Sequence, residues 1–240
     1  MRICLAQSLP VKGDITINLH HHAQMIHRAA DHGAHLIVFP ELSITGYEPT
    51  LAAELAIDAD DSILNPLQEI SNAKNIAIGA GMPVKNDEGI TISMLVFQPH
   101  QPREIYSKQF LHADELPFFK SGEPHAVSLF KKHRLGMAIC YEISVPEHAA
   151  RAHDAGAQVY IASVAKSVTG VKKALTELPA IARKYSMPVL MANCVGHCDD
   201  FDCGGKSSVW NAAGKLLVQL NSVDEGLLVF DTESSHAVAI

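Results

Sequence analysis

Two short runs, Leu36-Ile37-Val38-Phe39 and Val189-Leu190-Met191-Ala192, contain no polar side chain. Successive side chains of a strand point to opposite faces, so an unbroken apolar run must be covered on both. Such strands lie inside a sheet flanked by further layers. A chain of 240 residues, 48% hydrophobic and 19% charged, has the material for a core of that size. Further strands are predicted over 2–8, 76–81, 90–98, 104–106, 127–130, 135–139, 158–163, 204–210, 216–220 and, as the last, 226–230. Helical spacing falls between them. Asp14 is placed to cap a helix over about 16–32, with Leu19, Ala23, Ile26 and Ala30 as its buried stripe and Gly33 as its end. His20, His21 and His27 fall mostly off that stripe and read as a solvated face. A second helix is predicted over 61–74, with Ile63, Leu67 and Ile70 inward. A third covers 146–155. A fourth covers about 177–185, because Pro179 is tolerated only in a first turn. The basic run Lys131 to Arg134 reads as a solvated hairpin tip. No linker, repeat or low-complexity stretch interrupts the alternation, so 1–240 reads as a single α/β domain.

Charge and cysteine content narrow the function classes. A net charge of -7 and a pI near 6.0 argue against a nucleic-acid partner, which calls for a basic face. The apolar runs are strand-sized, so no membrane span is expected, and the N-terminal segment is too short for a secretory leader before Pro10. Five cysteines, an odd number, in a chain too large to need staples point to free thiols and a cytoplasmic location.

One of those thiols is placed for chemistry. Leu135-Gly136-Met137-Ala138-Ile139 is a buried strand that delivers Cys140 next to Tyr141 and Glu142, just ahead of the helix entry at Pro146. Backbone N–H groups at such a junction stabilise a thiolate and can hold an oxyanion. Glu41 ends another buried strand in Phe39-Pro40-Glu41, and Lys108 follows the strand 104–106 directly. Taken singly, each has a plain structural reading: a small core thiol, a helix cap or surface ion pair, a surface lysine.

Taken together, the stretches Phe39-Pro40-Glu41 with Gly46-Tyr47, Tyr106-Ser107-Lys108 with Leu111 and Glu115, and Ala138-Ile139-Cys140-Tyr141-Glu142 with Pro146-Glu147 resemble the nitrilase superfamily of carbon–nitrogen hydrolases. Gly156-Ala157, Ala192-Asn193 with Val195-Gly196, and Gly204-Gly205-Lys206-Ser207-Ser208 extend the resemblance over essentially the whole chain. It implies a four-layer α-β-β-α sandwich and a Glu-Lys-Cys triad of Glu41, Lys108 and Cys140 whose functional atoms converge within roughly 3–5 Å. Glu115 matches the family's second glutamate, which positions substrate or orients the triad. Tyr141, Tyr47, Phe119 and Ser163 are the expected substrate contacts, and Glu142 is expected to tie down a loop. The implied reaction is cleavage of a small amide to a carboxylic acid and ammonia through a cysteine thioester. Nitrile hydrolysis and hydrolysis of N-carbamoyl compounds are the alternatives on the same triad. No cofactor or metal is expected, and a homodimer or higher homo-oligomer is. Two departures bear on substrate. Thr91-Ile92-Ser93 stands where many members carry Tyr-Asn-Ser, and Tyr141 stands where members acting on nitriles carry Trp.

A rival reading comes from Cys194, His197, Cys198 and Cys203, which lie within ten residues of one another. Cysteines with a histidine can hold zinc, and a metal-binding or non-catalytic binding protein could use this loop. The spacing lacks a paired Cys-x-x-Cys knuckle, so incidental thiols or pocket lining are expected instead.

Overall fold

The computed structural model describes residues 1–130 and 132–240, so Lys131 of the expected hairpin tip lies outside the described residues. The N-terminal strands are β1 (Arg2–Gln7), β2 (Leu36–Val38), β3 (Ala77–Asn86), β4 (Gly89–Phe97) and β5 (Glu104–Ser107). A second set follows: β6 (Ser128–Phe130), β7 (His133–Ile139), β8 (Val159–Val164) and β9 (Val189–Asn193). The C-terminal strands are β10 (Val195–Cys198), β11 (Phe201–Gly204), β12 (Ser208–Trp210), β13 (Leu216–Gln219), β14 (Gly226–Asp231) and β15 (His236–Ala239). The helices are α1 (Ile15–Asp31), α2 (Ala52–Leu55), α3 (Asn65–Lys74), α4 (Pro146–Asp154) and α5 (Val168–Tyr185).

Among the described residues these strands form two large sheets and one hairpin. The first sheet runs β15-β14-β1-β2-β3-β4-β5, the second β13-β12-β9-β8-β7-β6, and β10 pairs only with β11. The cores of both are parallel, β1-β2-β3 in one and β7-β8-β9 in the other, and antiparallel strands extend each. The period of two along each strand sorts the apolar residues into three interfaces. Leu36, Val38, Ile3 and Leu5 meet Met137, Ile139, Ile161 and Leu190 between the sheets. Ile37, Phe39 and Cys4 turn the other way, onto Leu19 and Ile26 of α1 and Leu67 of α3. Ala138, Tyr160, Ala162 and Met191 face Ala149 of α4 and Ala174, Leu178 and Ala182 of α5. This is the four-layer α-β-β-α sandwich, and both all-apolar runs are buried on both faces as expected.

Several element boundaries differ from expectation. Asp14 does cap α1, accepting from the Ile17 N–H, but the inward stripe is Asn18, Leu19, His22, Met25, Ile26 and Ala29, while Ala23 and Ala30 are half-buried. A polar pair sets this phase: the Asn18 amide bonds the carbonyls of Val11 and Ile44, and the His22 ring stacks on Phe39. Ile63 is exposed, because Asp61 caps a short 3-10 turn and α3 begins only at Asn65. The fourth predicted helix starts at Val168, not 177: Ser167 caps it, and the stripe Val171, Ala174, Leu178 and Ala182 carries it through Pro179. Burial of that face outweighs the one backbone bond that proline removes. The predicted strand 204–210 is broken by left-handed backbone at Gly205 and Lys206, leaving β12 short. β15, beyond the expected last strand, closes the edge of the first sheet.

Candidate active site

Three loops at the carboxyl ends of β2, β5 and β7 meet over the gap between the sheets. Glu41 lies on the turn after β2, Lys108 follows β5, and Cys140 follows β7. The Glu41 turn packs so closely on Gly81 of β3 that a Cβ there would lie 2.4 Å from the Leu42 nitrogen and 2.9 Å from the Pro40 carbonyl. Any larger residue at 81 displaces the carboxylate. Ser163 of β8 donates to the Phe39 carbonyl at 2.8 Å and so ties this turn to the second sheet. Cys140 sits with φ at 44°, a left-handed conformation that costs a non-glycine residue of order 1–3 kcal/mol and marks a position held by its surroundings.

Glu142 does much of the holding. Buried completely, it accepts from the Ile139 N–H at 2.7 Å, the Gln109 N–H at 2.6 Å and the Tyr106 hydroxyl at 2.6 Å. It thus locks the nucleophile turn to the loop that carries Lys108, the loop-tying role expected for it. Burial pushes its carboxyl up to about 7, against the pull of those donors. Behind it His148 bridges Tyr106 and Tyr160 at 2.7 Å each, and burial lowers its imidazole to about 4, so the ring is neutral.

The Lys108 ammonium donates to Glu41 at 2.7 Å and to Glu115 at 2.6 Å, with all three side chains shut off from solvent. Glu115 also accepts from the Tyr47 hydroxyl at 3.0 Å and the His112 N–H at 2.8 Å. The second oxygen of Glu41 accepts from the Ala165 N–H at 3.2 Å. The Cys140 thiol donates to the carbonyl of Ala165 at 3.8 Å, the same residue whose N–H bonds Glu41. Burial raises Glu41, more than the lysine beside it lowers it. Burial would lower Lys108, but Glu41, Cys140 and Glu115 outweigh it and keep the lysine protonated. Burial, with Glu41 close by, pushes the Cys140 thiol up to about 11, while Lys166 and Lys108 pull the other way. The resting arrangement is therefore a protonated thiol near a carboxylate whose proton affinity burial has raised, with a fixed positive charge next to that carboxylate.

A cavity of about 260 Å³ opens onto Cys140 and is walled by Tyr47, His112, Glu115, Tyr141, Lys166 and Phe201, among others. Of the expected substrate contacts, Tyr47 and Tyr141 line it. Phe119 and Ser163 do not. Phe119 is packed into the inter-sheet core, and Ser163 spends its hydroxyl on the Phe39 carbonyl one position before the strand end. Lys166 and His112 were missed. Lys166 was findable, since it follows β8, the parallel neighbour of the nucleophile strand, at the sheet edge where such folds gather ligand contacts. Nothing local marks His112, whose part is played by its backbone N–H and by edge contact with Tyr141 at 5.2 Å between ring centres.

The family model for carbon-nitrogen hydrolases matches residues 2–239. The chain belongs to the carbon-nitrogen hydrolase family. Within that family its fold is that of a nitrilase-superfamily amidase from Nesterenkonia sp. AN1, solved as a variant with acrylamide added at its active-site cysteine. The TM-score is 0.87 at 28% identity, covering 96% of this chain and 92% of that one. An alanine variant of the same amidase, solved in complex with butyramide, gives 0.86 at 28% identity over 95% of this chain and 89% of that one. The curated relatives include the "Hydrolase in pqqF 5'region" of Pseudomonas protegens, 29% identical over 95% of this chain and 81% of that protein. They also include a glutamine-dependent NAD(+) synthetase of Thermotoga maritima, 28% identical over 97% of this chain but only 42% of that protein. The chain thus spans less than half of the synthetase. As a carbon-nitrogen hydrolase it is a cysteine-dependent enzyme, and Cys140, with Glu41 and Lys108 beside it, is the thiol that opens into the cavity.

Proposed function

We propose that this hydrolase cleaves a small amide to a carboxylic acid and ammonia through a Cys140 thioester. The observation that carries the reading is the Lys108–Glu41 pair at 2.7 Å, with Glu41 and Cys140 both bonded to Ala165 and Cys140 opening onto a small cavity. Cys140 gives its proton to Glu41 as the sulfur bonds to the amide carbon. The oxygen left negative lies toward Lys108 and the backbone N–H of Tyr141. Collapse breaks the carbon–nitrogen bond, and ammonia leaves with the proton from Glu41. A water then gives its proton to Glu41 and attacks the thioester, releasing the acid and restoring the thiol. Glu115, anchored by Tyr47, holds the Lys108 ammonium in place. The enzyme acts in the cytoplasm as a homodimer or higher homo-oligomer, with no nucleic-acid or membrane partner.

Lys166 favours one class of amide. It lines the cavity, lowers the pKa of the Cys140 thiol through its charge, and among the described residues is held in no ion pair. It suits a substrate with a carboxylate at the end away from the amide, such as the ω-amide of a dicarboxylate. Ammonia release across neutral aliphatic amides, ω-amides, N-carbamoyl compounds and nitriles tests both parts. Turnover of amides supports the reaction, and a preference for ω-amides that Lys166→Ala removes through KM supports the class. Release from nitriles alone, or from none of the panel, would overturn the reading.

A further inference from the structure

The sulfurs of Cys194, Cys198 and Cys203 lie within 4.8 Å of one another. Three separate backbone positions deliver them: the residue after β9, the end of β10 and the middle of β11. All three residues are buried, 1%, 1% and 4% exposed, so solvent does not account for their meeting. Sequence spacing gave no reason to expect it, because the knuckle here is built by the turn between β10 and β11 and by the end of a different strand. His197 takes no part: its side chain is 68% exposed and pairs with Asp202 at 3.0 Å. No carboxylate or imidazole joins the group among the described residues.

We propose that Cys194, Cys198 and Cys203 form a three-thiolate site for one thiophilic d10 metal cation, zinc(II) or copper(I). An all-sulfur donor set selects soft and borderline cations over magnesium, calcium or manganese. Metal–sulfur bonds of about 2.3 Å put ligand sulfurs roughly 3.8–4.0 Å apart. The cluster already fits inside 4.8 Å, and the Cys194–Cys203 pair, at 2.9 Å, has to open by about 1 Å. Three thiols also exceed what a disulfide uses. A Cys194–Cys203 disulfide would leave the buried Cys198 thiol outside the bond.

The location gives the site a task. The β10–β11 hairpin belongs to neither large sheet, and an isolated two-stranded hairpin is marginal in water. It nevertheless supplies Phe201 to the substrate cavity, where that ring meets Tyr47 at 5.8 Å between centres. A cation held by all three sulfurs would fasten both strands of the hairpin to the end of β9.

The test is a titration of the reduced full-length chain, under anaerobic conditions, with zinc(II) and with copper(I), each alone. Cobalt(II) serves as the spectroscopic probe for thiolate coordination. One equivalent of zinc(II) or copper(I), with sulfur-to-cobalt charge-transfer absorption, is expected in wild type and equally in Cys140→Ser, which removes the other accessible thiol. Cys198→Ser should bind more than about tenfold more weakly and lose the metal-dependent gain in melting temperature. No uptake of either metal by wild type would overturn the site. So would uptake that Cys140→Ser abolishes, or a purified chain lighter by two hydrogens with Cys194 joined to Cys203.

Discussion

At the scale of single residues, what the chain does turns on charges placed out of reach of water. Cys140→Ser and Cys140→Ala should fold and release no ammonia, because a hydroxyl is far harder to deprotonate than a thiol and Glu41 is a modest base. One equivalent of an alkylating agent should inactivate the enzyme, and mass spectrometry should place the label on Cys140, with substrate protecting it. Ammonia at the wild-type rate from Cys140→Ala would remove this residue from the mechanism. Lys108→Met should cost stability as well as turnover. It leaves Glu41 and Glu115 buried without their cation, a loss of about 3–5 kcal/mol readable in urea unfolding. Glu115→Gln, which keeps an acceptor for Tyr47 and Lys108, should be much milder. That Glu41 and Lys108 come together near Cys140 was legible in sequence because each follows a strand and the three together match a known pattern. Phe119 and Ser163 were misread because sequence gives proximity to the site, and whether a side chain faces the cavity or the core depends on a turn of one residue.

At the scale of elements, α1 is fastened by a group that titrates. His22 donates its Nδ1–H to the Asn18 carbonyl at 2.6 Å, and its Nε2 accepts from the Ser43 hydroxyl at 2.9 Å, two residues along the turn from Glu41. Burial lowers its pKa from 6.5 to about 4, and burial does the same to His148. Between those values the unfolded chain takes up protons that the folded chain refuses, so stability should fall as pH drops from about 6.5 to about 4. Glu142, raised from 4.5 to about 7, works the opposite way over much of that window, because the folded chain binds its proton first. His22→Gln should therefore flatten the acid-side slope in urea unfolding at a series of pH values, and Glu142→Gln should steepen it. The helix α5 offers a different test. Pro179 interrupts an otherwise regular buried stripe, so Pro179→Ala should stabilise the chain by about 1–3 kcal/mol, seen as a higher melting temperature. Proline was weighed too heavily in the sequence reading of this helix, where the spacing of Val171, Ala174 and Leu178 was the better guide. The inward phase of α1 was hidden because Asn18 and His22, its polar anchors, look like surface residues until their partners are known.

At the scale of the whole molecule, alternation and unbroken apolar strands were enough to indicate a layered α/β domain, and the resemblance supplied the number and order of layers. The β10–β11 hairpin was not legible, and although its cysteines were noticed, the meeting of their sulfurs was not, since it depends on the turn that brings β11 back against β10 and the end of β9. Light scattering at micromolar concentration should show a dimer or larger assembly, and a monomer would refute that expectation. The proposed triad is divided between the halves of the sandwich. Glu41 and Lys108 extend from the first sheet and Cys140 from the second, with Ser163 and the Ala165 N–H reaching across. Catalytic rate in this enzyme is thereby a ruler laid across the gap between two slabs. Met137→Ala, in the gap, and Leu67→Ala, on the buried face of α3, should cost similar folding free energy, about 2–5 kcal/mol. Only the first lets the slabs slide, and a slip near 1 Å between nucleophile and base is enough to lower turnover by about a hundredfold while the fold stays intact.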